Sequence, residues 1–311
     1  MSKIREYNIN GKMIIGVDAG YGNYKTAHCI FPTAVIKSDQ PPVFSRDYME
    51  YGGAYYMFGE GHKAFISEKQ NDDDHYVLTL AAIAKELDAR GLNEGRIHLA
   101  VGLPLKWVKS QRDSFRSYML QKDHVNLKYR DKSFSIDIDD CTVIPQCYAA
   151  VAENLADFKG MYMLADIGNG TINIMILNNG KASESKSWTS RLGVHQCFVG
   201  IQNNVMDKTG ENLPDEMIEN YLRYADSKIL GKYGSYAEEA VKKYAEAVFE
   251  NLREYGYNPE LMKLHIMGGG SRIIEAVGEY SHETVSFEHD LKANAKGYEY
   301  FCYMKLRRDQ H

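Results

Sequence analysis

The sequence predicts an α/β protein of two related lobes. Three observations carry that prediction. The chain has 311 residues, and a compact domain typically takes about 100 to 200. A strand-turn-strand unit occurs twice, since IIGVDAGYGNYKTAHCI and MLADIGNGTINIMIL both run strand, Asp, glycine turn, strand, and such a duplication indicates two related halves. Around these units, short apolar strands alternate with segments of helical spacing.

In chain order, residues 13–17 form a β-branched strand that stops at Asp18-Ala19-Gly20-Tyr21-Gly22-Asn23, and residues 24–31 resume strand character. Residues 32–75 read as loops and small strands, with Gly52-Gly53 as a hairpin turn and 55–58 as a strand. Apolar Leu80, Ile83, Ala84 and Leu87 predict a helix over 78–90, with Gly91 as its stop. Residues 98–102 read as a buried strand, 109–121 as a helix, 125–138 as a hairpin, 142–145 as a strand and 146–158 as a helix. The second unit places strands at 161–167 and 171–177 around Gly168-Asn169-Gly170, with a hairpin turn at Asn178-Asn179-Gly180. Helices follow at 194–208, 214–224 and 236–255. A strand at 264–267 ends in Gly268-Gly269-Gly270-Ser271, and residues 293–306 form a closing helix.

Composition narrows the function classes. Apolar residues at 44% and charged residues at 25% are average for globular chains, which argues against disorder. A net charge of -5 supplies no field for nucleic acid, so no direct nucleic-acid binding is expected. Cys29, Cys141, Cys147, Cys197 and Cys302 are scattered, with no C-x-x-C pair, so neither zinc nor disulfides are expected. The N-terminal segment lacks a secretion signal, and no apolar run approaches the roughly 20 residues that span a bilayer. A soluble, cytoplasmic protein without membrane contact is expected.

The chemistry resides in the turns. A hairpin tip of small residues presents successive backbone N–H groups that bind phosphate oxygens. The neighbouring carboxylates, Asp18 and Asp166, would repel bare phosphate, so they make sense with Mg²⁺ between, largely through its water shell. Lys25 can reach a phosphate as a point charge. Taken singly, each turn reads as an ordinary Asx or glycine turn; the pair, with the later Gly-rich turn, reads as a polyphosphate clamp. No Walker sequence is present, and the Asp in GVDAGYG disfavours a dinucleotide fingerprint. His62, His75, His195 and His265 have no metal spacing, and Lys305, Arg307 and Arg308 read as a solvated basic run.

On IIGVDAGYGNYKT, VIPQCYAA, MLADIGNGTINIMIL and LHIMGGGSRII, in that order, the chain resembles the actin, Hsp70 and sugar kinase superfamily. Within it, the chain is similar to the ParM-type plasmid-segregation actins of Gram-positive bacteria, as are the stretches FGEGHKAF, LTLAAIAKEL and VGLPLKWV. The resemblance implies an actin-like fold, each lobe a duplicated ribonuclease H-like five-stranded mixed sheet, with a nucleotide cleft between. Residues 1–158 with 290–311 would form one domain and 159–289 the other. It implies ATP, with GTP as the alternative nucleotide, and Mg²⁺ held by Asp18 and Asp166 through water. Gly20, Tyr21, Gly22, Asn23 and Lys25 match the first phosphate loop, although Tyr21 stands where many members have Ser. Gly168, Asn169, Gly170 and Thr171 match the second, Gly268, Gly269, Gly270 and Ser271 match the adenosine turn, and Asn173 stands where many members have Asp. Gln146 would orient the attacking water. The implied function is a filament-forming ATPase that moves plasmid or mobile-element DNA through a ParR-like DNA-bound adaptor; a small-molecule kinase of the same superfamily is the alternative.

Overall fold

The computed structural model describes residues 5–43, 47–59, 73–224 and 226–310. Residues 60–65 of the FGEGHKAF stretch, His62 among them, lie outside these. The chain divides into two compact units, Met1–Leu155 with Lys292–His311, and Ala156–Leu291.

The first unit opens with strands β1 (Tyr7–Ile9), β2 (Lys12–Ala19), β3 (Asn23–Lys25), β4 (Ile30–Pro32), β5 (Val35–Ser38), β6 (Tyr48–Tyr51) and β7 (Ala54–Phe58). Helix α1 (Asp73–Ala89), β8 (Glu94–Leu103), α2 (Leu105–Met119), β9 (His124–Tyr129), β10 (Lys132–Pro145) and a 3₁₀ segment at Ala149–Asp157 follow. The second unit holds β11 (Met161–Ile167), β12 (Ile172–Asn178), β13 (Lys181–Ser190), α3 (Val194–Thr209), α4 (Asp215–Tyr224), a 3₁₀ segment at Ser227–Tyr233, α5 (Gly234–Glu254), β14 (Lys263–Met267), α6 (Ser271–Val277) and β15 (Val285–Phe287). The chain then returns to the first unit as α7 (Ala293–Arg308).

The sheet of the second unit has five strands in the order β13-β12-β11-β14-β15. Its first two pairings are antiparallel and its last two parallel. The first unit repeats this plan as β4-β3-β2-β8-β10, antiparallel twice and then parallel twice. Its sheet is larger than the five strands expected. It continues through β9-β6-β7-β5, and β1 adds to β2, for ten strands in all.

Strand β2 is buried from Ile14 to Asp18, as a central strand covered on both faces must be. Side chains alternate across it: Ile15 and Val17 join Leu80, Ile83 and Leu87 of α1, whereas Ile14 joins Tyr298 and Cys302 of α7. Each fully buried aliphatic side chain of this kind stabilises the fold by about 1.5–3 kcal/mol. Helix α7 lies so close that a Cβ on Gly16 would sit 2.1 Å from the Ala295 carbonyl oxygen. Beneath β2 runs a buried ionic chain. Arg90 donates from Nε to Glu86 and from Nη2 to Glu299, both at 2.8 Å, and the Gly16 N–H donates to Glu299 at 3.2 Å. Burial raises the Glu299 carboxyl to about 7, against the pull of Arg90. Glu86 is buried too, yet Arg90, Thr26 and His28 hold it below the usual range.

In the second unit, Met163, Ala165 and Ile167 of β11 pack with Cys197, Ile201 and Val205 of α3 and Val241, Tyr244 and Val248 of α5. Among the described residues no helix is long and apolar enough to cross a membrane.

Several local expectations change. The strand expected over 24–31 is two, β3 and β4, separated by a turn that the Thr26 N–H closes on the Cys29 carbonyl at 3.0 Å. The strand at 142–145 continues the hairpin strand as β10, through a bulge between Ile138 and Asp140. The helix expected from Gln146 begins only at Ala149 and is 3₁₀, kinked at Asn154. The hairpin turn at Asn178-Asn179-Gly180 leads into β13, a polar edge strand with five of its ten residues exposed, whereas β15, three residues long, is a strand the sequence pattern does not indicate.

Candidate functional site

In each unit the residues of interest gather at the carboxyl edge of parallel strands, where open α/β sheets bind ligands. In the first unit the parallel strands β2, β8 and β10 end at Ala19, Leu103 and Pro145. Asp18, Gly20–Asn23 and Gln146 all lie at this edge.

The turn after Asp18 is a hairpin in which Asp18 pairs with Lys25 and Ala19 with Tyr24. The Gly20 N–H closes it on the Asn23 carbonyl at 3.1 Å. A Cβ on Gly20 would fall 2.8 Å from that carbonyl oxygen, so glycine is required. Register brings the buried Asp18 against Lys25, whose Nζ donates to Oδ2 at 2.9 Å. Thr33, which sequence reasoning missed, braces the tip: its hydroxyl donates to the Gly20 carbonyl at 2.8 Å and its N–H to the Gly22 carbonyl at 3.1 Å. Because trans peptides hold C=O and N–H on opposite sides, the N–H groups of Tyr21 and Asn23 point away from Thr33. Burial raises the Tyr21 phenol to about 12, so it stays a neutral hydroxyl.

The second unit repeats the device. Asp166 pairs with Asn173, Ile167 pairs with Ile172, and the Gly168 N–H closes the tip on the Thr171 carbonyl at 2.9 Å. Here the brace is the start of α3, whose Val194 and His195 N–H groups donate to the carbonyls of Gly168 at 3.0 Å and Asn169 at 2.8 Å. The N–H groups of Asn169 and Gly170 are therefore turned together, away from α3, as a phosphate nest requires. Gly193, also missed, lets the helix approach, since a Cβ there would lie 2.4 Å from the Asn169 carbonyl oxygen.

The third turn belongs to the same edge. Met267 pairs with Asp166, and Gly268 has φ +83°, with a Cβ position 2.5 Å from Asp166 Oδ1. The Gly270 N–H donates to the Ile167 carbonyl at 3.0 Å. Gly269 has open space where a side chain would stand. Ser271 is fully buried, and its hydroxyl donates to the Glu288 carbonyl at 3.2 Å, so it serves the turn rather than presenting a hydroxyl outward.

Gln146 stands in a turn beyond β10, buried, with its N–H donated to the Leu103 carbonyl at 2.9 Å. Gly102 makes room for it: a Cβ there would lie 2.9 Å from Gln146 Cγ and 1.9 Å from the Tyr298 hydroxyl. The first unit thus assembles Asp18, Lys25, the first tip and Gln146, and the second assembles Asp166, the second tip and the Gly-rich turn. Among the described residues no cluster of three His, Cys, Asp or Glu side chains is arranged to hold a metal ion.

Residues 16–148 match the family model described as "Actin like proteins N terminal domain", and residues 164–278 match "Archaeal actin homologue MreB-like, C-terminal". No curated protein matches the sequence. Among solved structures, the chain is similar to Ta0583, an archaeal actin homolog, with a TM-score of 0.76 at 17% identity over 94% of this chain and 99% of that one. It is similar to a ParM of a 15-stranded filament from Clostridium botulinum, with a TM-score of 0.75 at 18% identity over 94% and 99%. Bacillus thuringiensis ParM with AMPPNP gives 0.68 at 14% identity over 97% and 100%. Two actin-type domains in tandem, on sheets that repeat one strand plan, make this chain a member of the actin-like proteins.

Proposed function

We propose that this chain is a ParM-type ATPase: it binds and hydrolyses Mg-ATP and polymerises into filaments that move plasmid or mobile-element DNA in the cytoplasm through a DNA-bound adaptor of the ParR kind. The observation that carries the reading is the pair of hairpins, each with a buried carboxylate, a glycine-closed tip and N–H groups turned outward. The nucleotide of the AMPPNP-bound relative and the filament of the Clostridium relative support it.

In this reading the first unit contributes Lys25 and the N–H groups of Tyr21 and Asn23 to the phosphates, with Gly20 and Gly22 shaping the turn that carries them. The second contributes Gly168, Asn169, Gly170 and Thr171, and the open backbone at Gly269, between Gly268, Gly270 and Ser271, offers a flat face to the nucleoside. Asp18 and Asp166 fit the role of holding Mg²⁺ through water, since each is a buried carboxylate beside a phosphate nest. When bound, Mg²⁺ neutralises charge on the phosphate oxygens. Gln146 cannot remove a proton as a carboxylate does, so it orients water by hydrogen bonding, and slow hydrolysis follows. Gln146→Ala slows hydrolysis about a hundredfold, with nucleotide binding and filaments retained.

Right-angle light scattering with parallel phosphate release, after addition of Mg-ATP or Mg-GTP, tests the function. Scattering that rises above a critical concentration and decays as phosphate appears is expected, with ATP the better substrate. Hydrolysis without assembly at any protein concentration overturns the filament reading.

A further inference from the structure

Gln146 is carried on a strained turn. The Tyr148 N–H donates to the Gln146 carbonyl at 2.8 Å, and Cys147 between them has φ +68°. A three-residue turn closed by such a bond, with positive φ at its centre, is the rare and strained kind of γ-turn. A residue with a Cβ stays in that region only where its surroundings over-determine it, and such strain gathers at functional sites.

The surroundings here are two anchors. On one side the Gln146 N–H is fixed to Leu103 at the end of β8. On the other, the buried Cys147 N–H donates to Asn294 Oδ1 at 3.1 Å, in the first turn of α7. The same helix clasps the segment further along. A Cβ on Gly297 would fall 1.8 Å from the Ala149 carbonyl oxygen, and Tyr298 shares with Gln146 the space above Gly102. Without the Asn294 acceptor, the Cys147 N–H loses its hydrogen bond in a buried setting. The turn is then free to relax to negative φ, which swings the Gln146 peptide relative to the fixed ends of β8 and β10.

We infer that Asn294 is a positioning residue for hydrolysis: it clamps Cys147 in the left-handed conformation and thereby aims Gln146, so that helix α7 governs the hydrolysis rate. This rests on the reading of Gln146 as the residue that orients water.

The test measures single-turnover phosphate release from the full chain, together with binding of Mg-mant-ATP. Asn294→Ala is expected to slow hydrolysis about tenfold or more, as a small misplacement of a reacting group does, with the mant-ATP Kd within about twofold. Asn294→Asp keeps the acceptor oxygen and places an acid in a first helical turn, where it is favoured, so it recovers most of the lost rate. In a Gln146→Ala background, Asn294→Ala adds less than about twofold, because the two act as one unit. Hydrolysis by Asn294→Ala at the wild-type rate, or an equal loss in both backgrounds, overturns the inference. A wild-type rate for Gln146→Ala alone instead removes the reading of Gln146, and the inference falls with it. Should Asn294→Ala lose its cooperative unfolding transition, Asn294→Ser, too short to reach the Cys147 N–H, takes its place with the same expected outcomes.

Discussion

Seven residues after Asp18 the first hairpin places a lysine; seven residues after Asp166 the second places an asparagine. The backbone frames are the same, since both turns close by a glycine N–H on the carbonyl three residues on, and both pair the Asp with the seventh residue. The electrostatics differ. Lys25 sits 2.9 Å from Asp18, whereas Asn173 accepts from the Thr189 hydroxyl at 3.0 Å and brings no charge. Their supports differ as well. The first tip is braced by Thr33 and its strand rests on the Glu299 ionic chain, while the second is braced by the first turn of α3 and a glycine turn. One scaffold used twice thus sets a lysine opposite the first carboxylate and an uncharged asparagine opposite the second.

The largest effect that sharpens this contrast is expected at Asp166. Asp166→Ala should lower Mg²⁺-dependent hydrolysis by about 10²–10³, the scale of losing one preorganised electrostatic group, as read by phosphate release across a Mg²⁺ titration; a loss below tenfold would mean that Asp166 does not serve the metal. Next come the tips. A Cβ on Gly20 meets the Asn23 carbonyl at 2.8 Å, but one on Gly168 meets the Thr171 carbonyl at 3.3 Å. Gly20→Ala should therefore destabilise the fold by about 1–3 kcal/mol and Gly168→Ala by less, and equal shifts in denaturant midpoint would break the ranking. Asn173→Lys, which gives the second hairpin the cation of the first, should raise the Mg²⁺ needed for half-maximal hydrolysis about tenfold, as an opposed charge close by can.

The smallest effect concerns the ionic chain under the first hairpin. Glu299 titrates near 7 in the folded protein instead of the usual 4.5, so the native state binds the extra proton. Its contribution is complete below about 4.5 and is lost as pH rises through about 7. Glu299→Gln should flatten the fall in stability across that window, which chemical unfolding at a series of pH values would detect; an unchanged slope would assign the pH dependence elsewhere.

The hairpins were legible in the sequence because an Asp followed two residues later by a turn glycine, between β-branched runs, is a local pattern. The helices were legible for a similar reason, since Leu80, Ile83, Ala84 and Leu87 repeat with the helical period. What escaped depends on distant partners. The polar run 181–190 becomes β13 because β12 offers it an edge, and nothing in its own composition demands a strand. The extension β9-β6-β7-β5 is likewise made by pairing. Thr33 and Gly193 act through the carbonyls of turns far from them in space-free reading, and no rule of composition marks a cysteine for positive φ, so the turn at Cys147 and its clamp by Asn294 were invisible.

The return of α7 to the first unit has a consequence for biosynthesis. The second unit is one continuous stretch and can close its core as soon as residue 291 has emerged from the ribosome, whereas the first, though begun earlier, lacks the helix that covers Ile14, Ala100 and Ile144 until translation reaches Arg308. Domains usually fold from the N-terminus as they are made, but the unit that begins first in this chain is the one that waits for a later segment. Strand β2, which carries Asp18, thus keeps one face uncovered until α7 has been made.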